Sequence, residues 1–169
     1  EPRPVYQPPA GPRHEAAREE RVPMSRLRRT IALRLKEAQN TAAMLTTFTD
    51  ADLSRIIELR SRHKEQMTER HGVPLGFMSF FVKSCCEALR EFPAVNARID
   101  GQDIVYHDFY DIGIAIGGEK GLVVPVLRDA DRMAFADIEK AVAGFAERAR
   151  SGSITIEELT GGTFSITNG

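Results

Sequence analysis

Hydrophobic side chains recur at two different intervals along this chain, and the switches between them divide it into elements. Leu27, Ile31, Leu35, Ala38 and Ala42 fall three or four residues apart, the spacing of one helix face. Ser25 stands where an N-cap belongs. At Met44 to Ala51 the period shortens, and Thr46, Thr47, Phe48 and Thr49 favour a strand. Asp52 is expected to cap a second helix, marked by Leu53, Ile56, Ile57, Arg60, His63 and Met67 and stopped by Gly72 ahead of Pro74. A third helix is expected from about Ser79 to Phe92, ended by Pro93. It carries Val82, Cys85, Cys86 and Leu89 and is apolar nearly all round, which predicts deep burial.

The second half of the chain reads mostly as strands. Ala97-Arg98-Ile99 and Ile104-Val105-Tyr106 flank Asp100-Gly101, the pattern of a hairpin. Asp111 to Gly117 alternates through Ile112, Ile114 and Ile116, and Leu122 to Leu127 is a continuous apolar strand. Pro125 lacks a ladder donor, so that strand should have an unpaired side or a bulge there. Phe135, Ile138, Val142, Phe145 and Ala149 mark a last helix that ends at Ser151-Gly152. The final strand, Phe164-Ser165-Ile166-Thr167, puts two hydroxyls on one face and two apolar side chains on the other. Asn168-Gly169 normally begins a turn, so more protein is expected to follow. The order α, β, α, α, β-hairpin, β, β, α, β describes a mixed α/β layered domain and not a regular βαβ winding.

Composition narrows the classes. The 169 residues suit one domain plus a tail. Residues 1–20 hold five prolines and read as a Pro-rich linker, leaving 21–169 as the domain. A net charge of −1 points to neither nucleic acid nor an anionic membrane, and no apolar run approaches a membrane span. Cys85 and Cys86 are adjacent in an apolar helical pattern, which suggests buried free thiols in a reducing compartment. His14, His63, His71 and His107 have no partner at metal-ligand spacing. Gly117 to Gly121 fits no phosphate-loop pattern and reads as a hairpin turn, and no Gly-x-Ser-x-Gly elbow occurs. Arg26, Arg28, Arg29 and Arg34 crowd the start of the first helix. They form either a solvated face or, because they oppose the helix macrodipole, a site for an anionic partner.

Several blocks carry a resemblance. They are Val22-Pro23-Met24-Ser25-Arg26-Leu27-Arg28-Arg29, Met44-Leu45-Thr46-Thr47-Phe48, Leu75-Gly76-Phe77-Met78-Ser79-Phe80-Phe81-Val82-Lys83 and Phe92-Pro93-Ala94-Val95-Asn96-Ala97. Gly121-Leu122-Val123-Val124-Pro125-Val126-Leu127-Arg128-Asp129 and Phe164-Ser165-Ile166-Thr167-Asn168-Gly169 complete the set. From Arg21 to Gly169 the chain resembles the catalytic domain of dihydrolipoamide acyltransferases, the core subunits of 2-oxo acid dehydrogenase complexes. The Met44 and Leu75 blocks resemble the succinyl-transferring branch, which serves the 2-oxoglutarate dehydrogenase complex. The Pro-rich tail is similar to the linker that joins such domains to peripheral modules.

The resemblance implies a fold like chloramphenicol acetyltransferase, a mixed sheet with flanking helices, here incomplete at the C-terminus. It implies homotrimers packed into a larger cage, with 2-oxo acid decarboxylase and dihydrolipoamide dehydrogenase subunits as partners, in bacterial cytoplasm or mitochondrial matrix. Coenzyme A would be a substrate, and the lipoyl group would ride on a domain outside this chain. The family's general base is the His of a His-x-x-x-Asp-Gly motif, which residues 1–169 do not contain. Thr167 falls at the position of the oxyanion-stabilising hydroxyl, Arg26 at that of the arginine pairing with the motif's Asp, and Arg60 near the coenzyme A entrance. Two other readings stand beside this one. The chain is a catalytically inactive fragment or scaffold piece, because the base is absent, or it is another acyltransferase of the same fold with no lipoyl partner. The linker and the succinyl-type blocks argue against the last.

Overall fold

The computed structural model describes residues 19–118 and 121–168, so nearly all of the expected linker over 1–20 lies outside the described residues. The chain divides into two compact units, Glu1–Asp50 and Ala51–Gly169.

The first unit holds helix α1, Arg26–Thr41. Ser25 caps it as expected, its Oγ accepting from the Arg28 N–H at 3.3 Å. The strand expected at Met44 to Ala51 does not form, and those residues have no regular structure. The reason is physical. Threonine and phenylalanine favour a pleated, half-buried surface and not an extended backbone as such. Here Leu45 and Phe48 are 87% and 93% exposed, with no ladder partner among the described residues.

The second unit opens with α2, Ser54–His71. Its N-cap is Leu53, not Asp52; the Asp52 carboxylate accepts from the Ser54 N–H at 2.9 Å one position earlier. Gly72 ends the helix in the left-handed region, at φ 71°. Helix α3, Met78–Glu91, buries one face through Ser79, Val82, Cys86 and Leu89. It is not buried all round as expected: Phe81 remains 38% exposed, and Ser84, Glu87 and Arg90 face solvent. A helix lying on one side of a layered core has only one face to bury.

Strands β1, Ala97–Asp100, and β2, Asp103–Tyr106, form the expected hairpin, with Gly101 at φ 62° supplying the positive angle its tight turn needs. The main sheet is centred on β3, Ile112–Gly118. Strands β4, Gly121–Val123, and β5, Val126–Leu127, pair antiparallel with it. The register does not shift between them: Ile116 faces Val123 and Gly113 faces Val126. They are therefore one line of chain interrupted at Pro125, and no residue is inserted. The Ile114 N–H still reaches the Pro125 carbonyl at 2.8 Å, but proline returns no donor. Strand β6, Phe164–Thr167, runs parallel along the other edge of β3, from Ile112 opposite Phe164 to Ala115 opposite Thr167. Helix α4, Phe135–Ser151, crosses between β5 and β6 and ends at Gly152, φ 69°.

The core lies between the α3–α4 layer and the isoleucine face of β3. Val82, Cys86, Leu89, Ile112, Ile114, Leu127, Ile138 and Phe145 are buried together, with Phe164 and Ile166 packed against them. Glu139 of α4 is 8% exposed, yet it is not a misplaced charge. Its Oε1 accepts from the Ser79 N–H at 3.0 Å and from the Ser79 hydroxyl, so one helix caps the first turn of the other. Gly76 leaves room for that carboxylate: a Cβ there would sit 2.6 Å from Glu139 Oε2.

Replacing Glu139 by alanine strands a buried N–H and hydroxyl and is expected to lower stability by about 3 kcal/mol. Urea titration of the purified protein measures this. A midpoint equal to wild type would show that the helix junction contributes nothing.

Candidate functional site

The hydroxyl strand is laid out as its alternation predicts. Phe164 and Ile166 turn toward the core, while Ser165 and Thr167 are exposed on the opposite face. Their neighbours on β3 are Gly113 and Ala115, so this face is built of small residues around the two hydroxyls. It is also tight. A Cβ at Gly113 would lie 2.9 Å from both Ser165 Oγ and Val124 Cγ1. Thr167 stands on a strand held in a ladder with β3, with a side chain that β-branching makes stiff at χ1. Its side chain is exposed, so its hydroxyl is open to an incoming group.

The approach to β6 is held by charge. Arg128 follows β5 directly and donates to Asp111 Oδ2 at 2.7 Å. The same guanidinium donates to the main-chain oxygens of Glu157 and Gly161, both at 3.2 Å, and to that of Thr160. Asp111 uses its other oxygen to accept the Asp129 N–H at 2.9 Å, and its carbonyl accepts the Thr163 N–H at 2.8 Å. The Asp111 side chain is 11% exposed and that of Arg128 47%. Removing the arginine alone would leave a nearly buried carboxylate unpaired. That costs about 2–3 kcal/mol, below the fully buried case because Arg128 is half in water. The loop is tied to α4 as well, through Arg148 and Glu158 at 2.7 Å. Thr155 and Glu158 satisfy each other's N–H groups reciprocally. The Thr155 N–H, and after it Arg148, hold the Glu158 carboxyl below its usual range.

The other expected site residues fall elsewhere. Arg60 lies on α2, with its Nε donating to the Leu75 carbonyl at 2.7 Å and its guanidinium over the Phe77 ring at 4.9 Å. It also lines an open groove with Lys64, Thr68 and Pro74. These contacts do not bring it to Thr167, which lies beside Ala115. Arg26 is the first residue of α1, exposed, in the other unit. His63 and His71 line an apolar groove of about 260 Å³ with Leu59, Met67, Phe80 and Phe135. His107 holds the Asn96 carbonyl at 2.8 Å through Nδ1, and His14 lies outside the described residues. Among the described residues no cluster of His, Cys, Asp or Glu could hold a metal ion, and no helix is long and apolar enough to cross a membrane. Sequence reasoning missed Asp111, Arg128 and Gly161. They sit 17 and 33 positions apart, and nothing local in the chain announces that they meet.

The sequence and the fold are similar to those of known proteins. A profile of the family described as 2-oxoacid dehydrogenases acyltransferase (catalytic domain) matches residues 16–169. The succinyltransferase component of the 2-oxoglutarate dehydrogenase complex of Rickettsia bellii is 60% identical over 152 residues, 90% of this chain and 38% of that protein. The component of Cupriavidus necator is 58% identical over 89% of this chain and 36% of its own length. The mitochondrial component 1 of Arabidopsis thaliana is 55% identical over 90% and 33%. The chain thus spans well under half the length of these relatives. Among solved structures, the cubic core of a pyruvate dehydrogenase multienzyme complex superposes with a TM-score of 0.79 at 29% identity, covering 95% of this chain and 68% of that one. Azotobacter vinelandii dihydrolipoamide acetyltransferase gives 0.78 at 30%, with the same coverage.

The chain's own thiols are not reactive groups of this site. Cys86 has no exposed surface, and burial pushes its thiol up to about 11; burial raises that of the half-buried Cys85 as well. A raised value leaves less thiolate at neutral pH. The folded protein at pH 8 is expected to resist iodoacetamide at Cys86 and to react there once unfolded, as followed by peptide mass. Rapid native labelling of Cys86 would contradict the buried-thiol assignment.

Proposed function

The chain belongs to the 2-oxoacid dehydrogenase acyltransferase family, matching its catalytic domain, and from that premise we propose that it serves succinyl transfer between dihydrolipoamide and coenzyme A in a 2-oxoglutarate dehydrogenase complex. The observation that carries the reading is the 55–60% identity to succinyltransferase components from bacteria and a plant mitochondrion. Residues 21–169 are read as the N-terminal part of the catalytic domain, on the ground that they span 68% of the solved core chains.

In this reading the thiol sulfur of coenzyme A attacks the thioester carbonyl of S-succinyl-dihydrolipoamide. A carbon–sulfur bond forms, and the carbonyl π electrons move onto oxygen. The Thr167 hydroxyl donates to that oxygen, a bond stronger in the tetrahedral state than in the ground state. Collapse restores the carbonyl, breaks the bond to the lipoyl sulfur and returns the proton to it. The base that takes the proton from coenzyme A is the histidine of the His-x-x-x-Asp-Gly motif, which this sequence does not hold. Arg26 is assigned to the Asp of that motif. Arg60 is assigned to coenzyme A: stacking on Phe77 and the bond to Leu75 leave its Nη edge available for a phosphate. Homotrimers, a cage and the decarboxylase and dehydrogenase subunits are the partners this reading requires. The cubic-core neighbour supports an assembled core.

In the intact assembled protein, Thr167→Ala is expected to lower kcat for succinyl transfer by about 10²–10³ with assembly unchanged, and Thr167→Ser to lose less. A steady-state assay with succinyl-dihydrolipoamide and coenzyme A decides it. Unchanged turnover in the alanine variant removes the oxyanion role, and no transfer by the wild-type assembly would favour a scaffold piece.

A further inference from the structure

We propose that Arg128, through Asp111, is a positioning residue that sets the register of β6 and so aims the Thr167 hydroxyl; the inference rests on the oxyanion reading of Thr167. Strand β6 is only four residues long, and among the described residues it pairs with β3 alone. Twelve residues, Gly152 to Thr163, separate it from α4, and their one regular piece is the single turn Glu157–Leu159. Burial of Phe164 and Ile166 opposes a slip of one residue, because the side-chain period is two and such a slip would turn Thr167 into the core. A slip of two keeps both apolar side chains on the core side, and so short a strand on so long a tether resists it less. It would carry Thr167 from beside Ala115 to beside Gly113 or Gly117.

Arg128 removes that freedom immediately before the strand begins. Its planar guanidinium takes the carbonyls of Glu157, Thr160 and Gly161 together with Asp111 Oδ2. Asp111 in turn takes the Thr163 N–H on its own carbonyl, and Ile112 opposite Phe164 is the next rung. The clamp thus ends where the ladder starts, and it counts the residues between them. Gly161 is shaped for it twice over. Its φ is 78°, and a Cβ would lie 2.9 Å from Arg128 Nη1. Arg128 touches no reacting atom in this scheme. It acts only through where Thr167 stands.

A double-mutant cycle on the assembled protein tests this. Lysine keeps the charge, but its compact ammonium has three donors and cannot span the four acceptors that the planar fork reaches, so Arg128→Lys is expected to lower kcat about tenfold or more, in keeping with the cost of a misplaced group. KM for coenzyme A should stay within about twofold, the loss lying in the transition state alone. In a Thr167→Ala background the same substitution should cost less than about twofold, because the group it aims is gone. Gly161→Ala crowds the guanidinium while leaving the arginine in place, and it should show the same dependence on Thr167. It serves as the deciding variant should Arg128→Lys fail to assemble. Losses that multiply fully in the double variants, or kcat unchanged by both single substitutions, overturn the proposal. Thr167→Ala with wild-type kcat would instead overturn the oxyanion reading beneath it, so the two failures are distinguishable.

Discussion

One guanidinium draws three parts of the chain together. Arg128 follows β5 and Asp111 precedes β3, each one residue beyond the Ile112–Leu127 rung of their ladder, and the three carbonyls come from the loop that leads into β6. Each bond is ordinary, and their convergence is what counts. A loop carbonyl turned away from the sheet would otherwise rely on water. Here three of them find the same fixed fork, and the residue whose carboxylate balances the fork also takes the Thr163 N–H, next to β6, on its main-chain carbonyl. The helix layer below has a similar arrangement on a smaller scale. There Glu139 satisfies the start of α3 from within α4, beside the buried packing of Val82, Leu89 and Ile138.

These two charged junctions bracket the sheet. On the helix side, Ile112, Ile114, Phe164 and Ile166 form a continuous apolar surface. On the other side, Gly113 and Ala115 stand beside the exposed hydroxyl residues Ser165 and Thr167. The same two-residue alternation produces both, so burial of Phe164 and Ile166 and presentation of Thr167 are one event. Apolar packing selects the face, and the clamp selects the register.

Much of this was legible in the chain itself. Gly72, Gly101 and Gly152 marked a helix end, a hairpin turn and a helix end, and each adopts the positive φ that makes glycine the natural choice. The isoleucine alternation of β3 and the two faces of β6 follow from period alone. The failures have a common cause. Thr46 to Thr49 have strand propensity but no sheet to join, and α3 has apolar residues on a side that nothing in its unit covers. Propensity describes a residue, while burial depends on neighbours remote in sequence. Nothing in the sequence sets Glu139 apart from the other charges of α4, for the same reason. At the site, the face of Thr167 could be read from parity. Its role, and those of Arg26 and Arg60, came only through resemblance. The Arg60–Phe77 stack and the Asp111–Arg128 pair left no local trace.

Among the described residues β6 pairs with β3 alone, so its outer edge is open within them. An unpaired strand edge is a template for a further strand. A strand added there, from elsewhere in the same polypeptide or from another copy, would lie directly beside Thr167. Two features restrain indiscriminate pairing: the strand offers only four residues to copy, and its exposed face is polar. The strand that carries Thr167 is therefore also the place where the described sheet can grow.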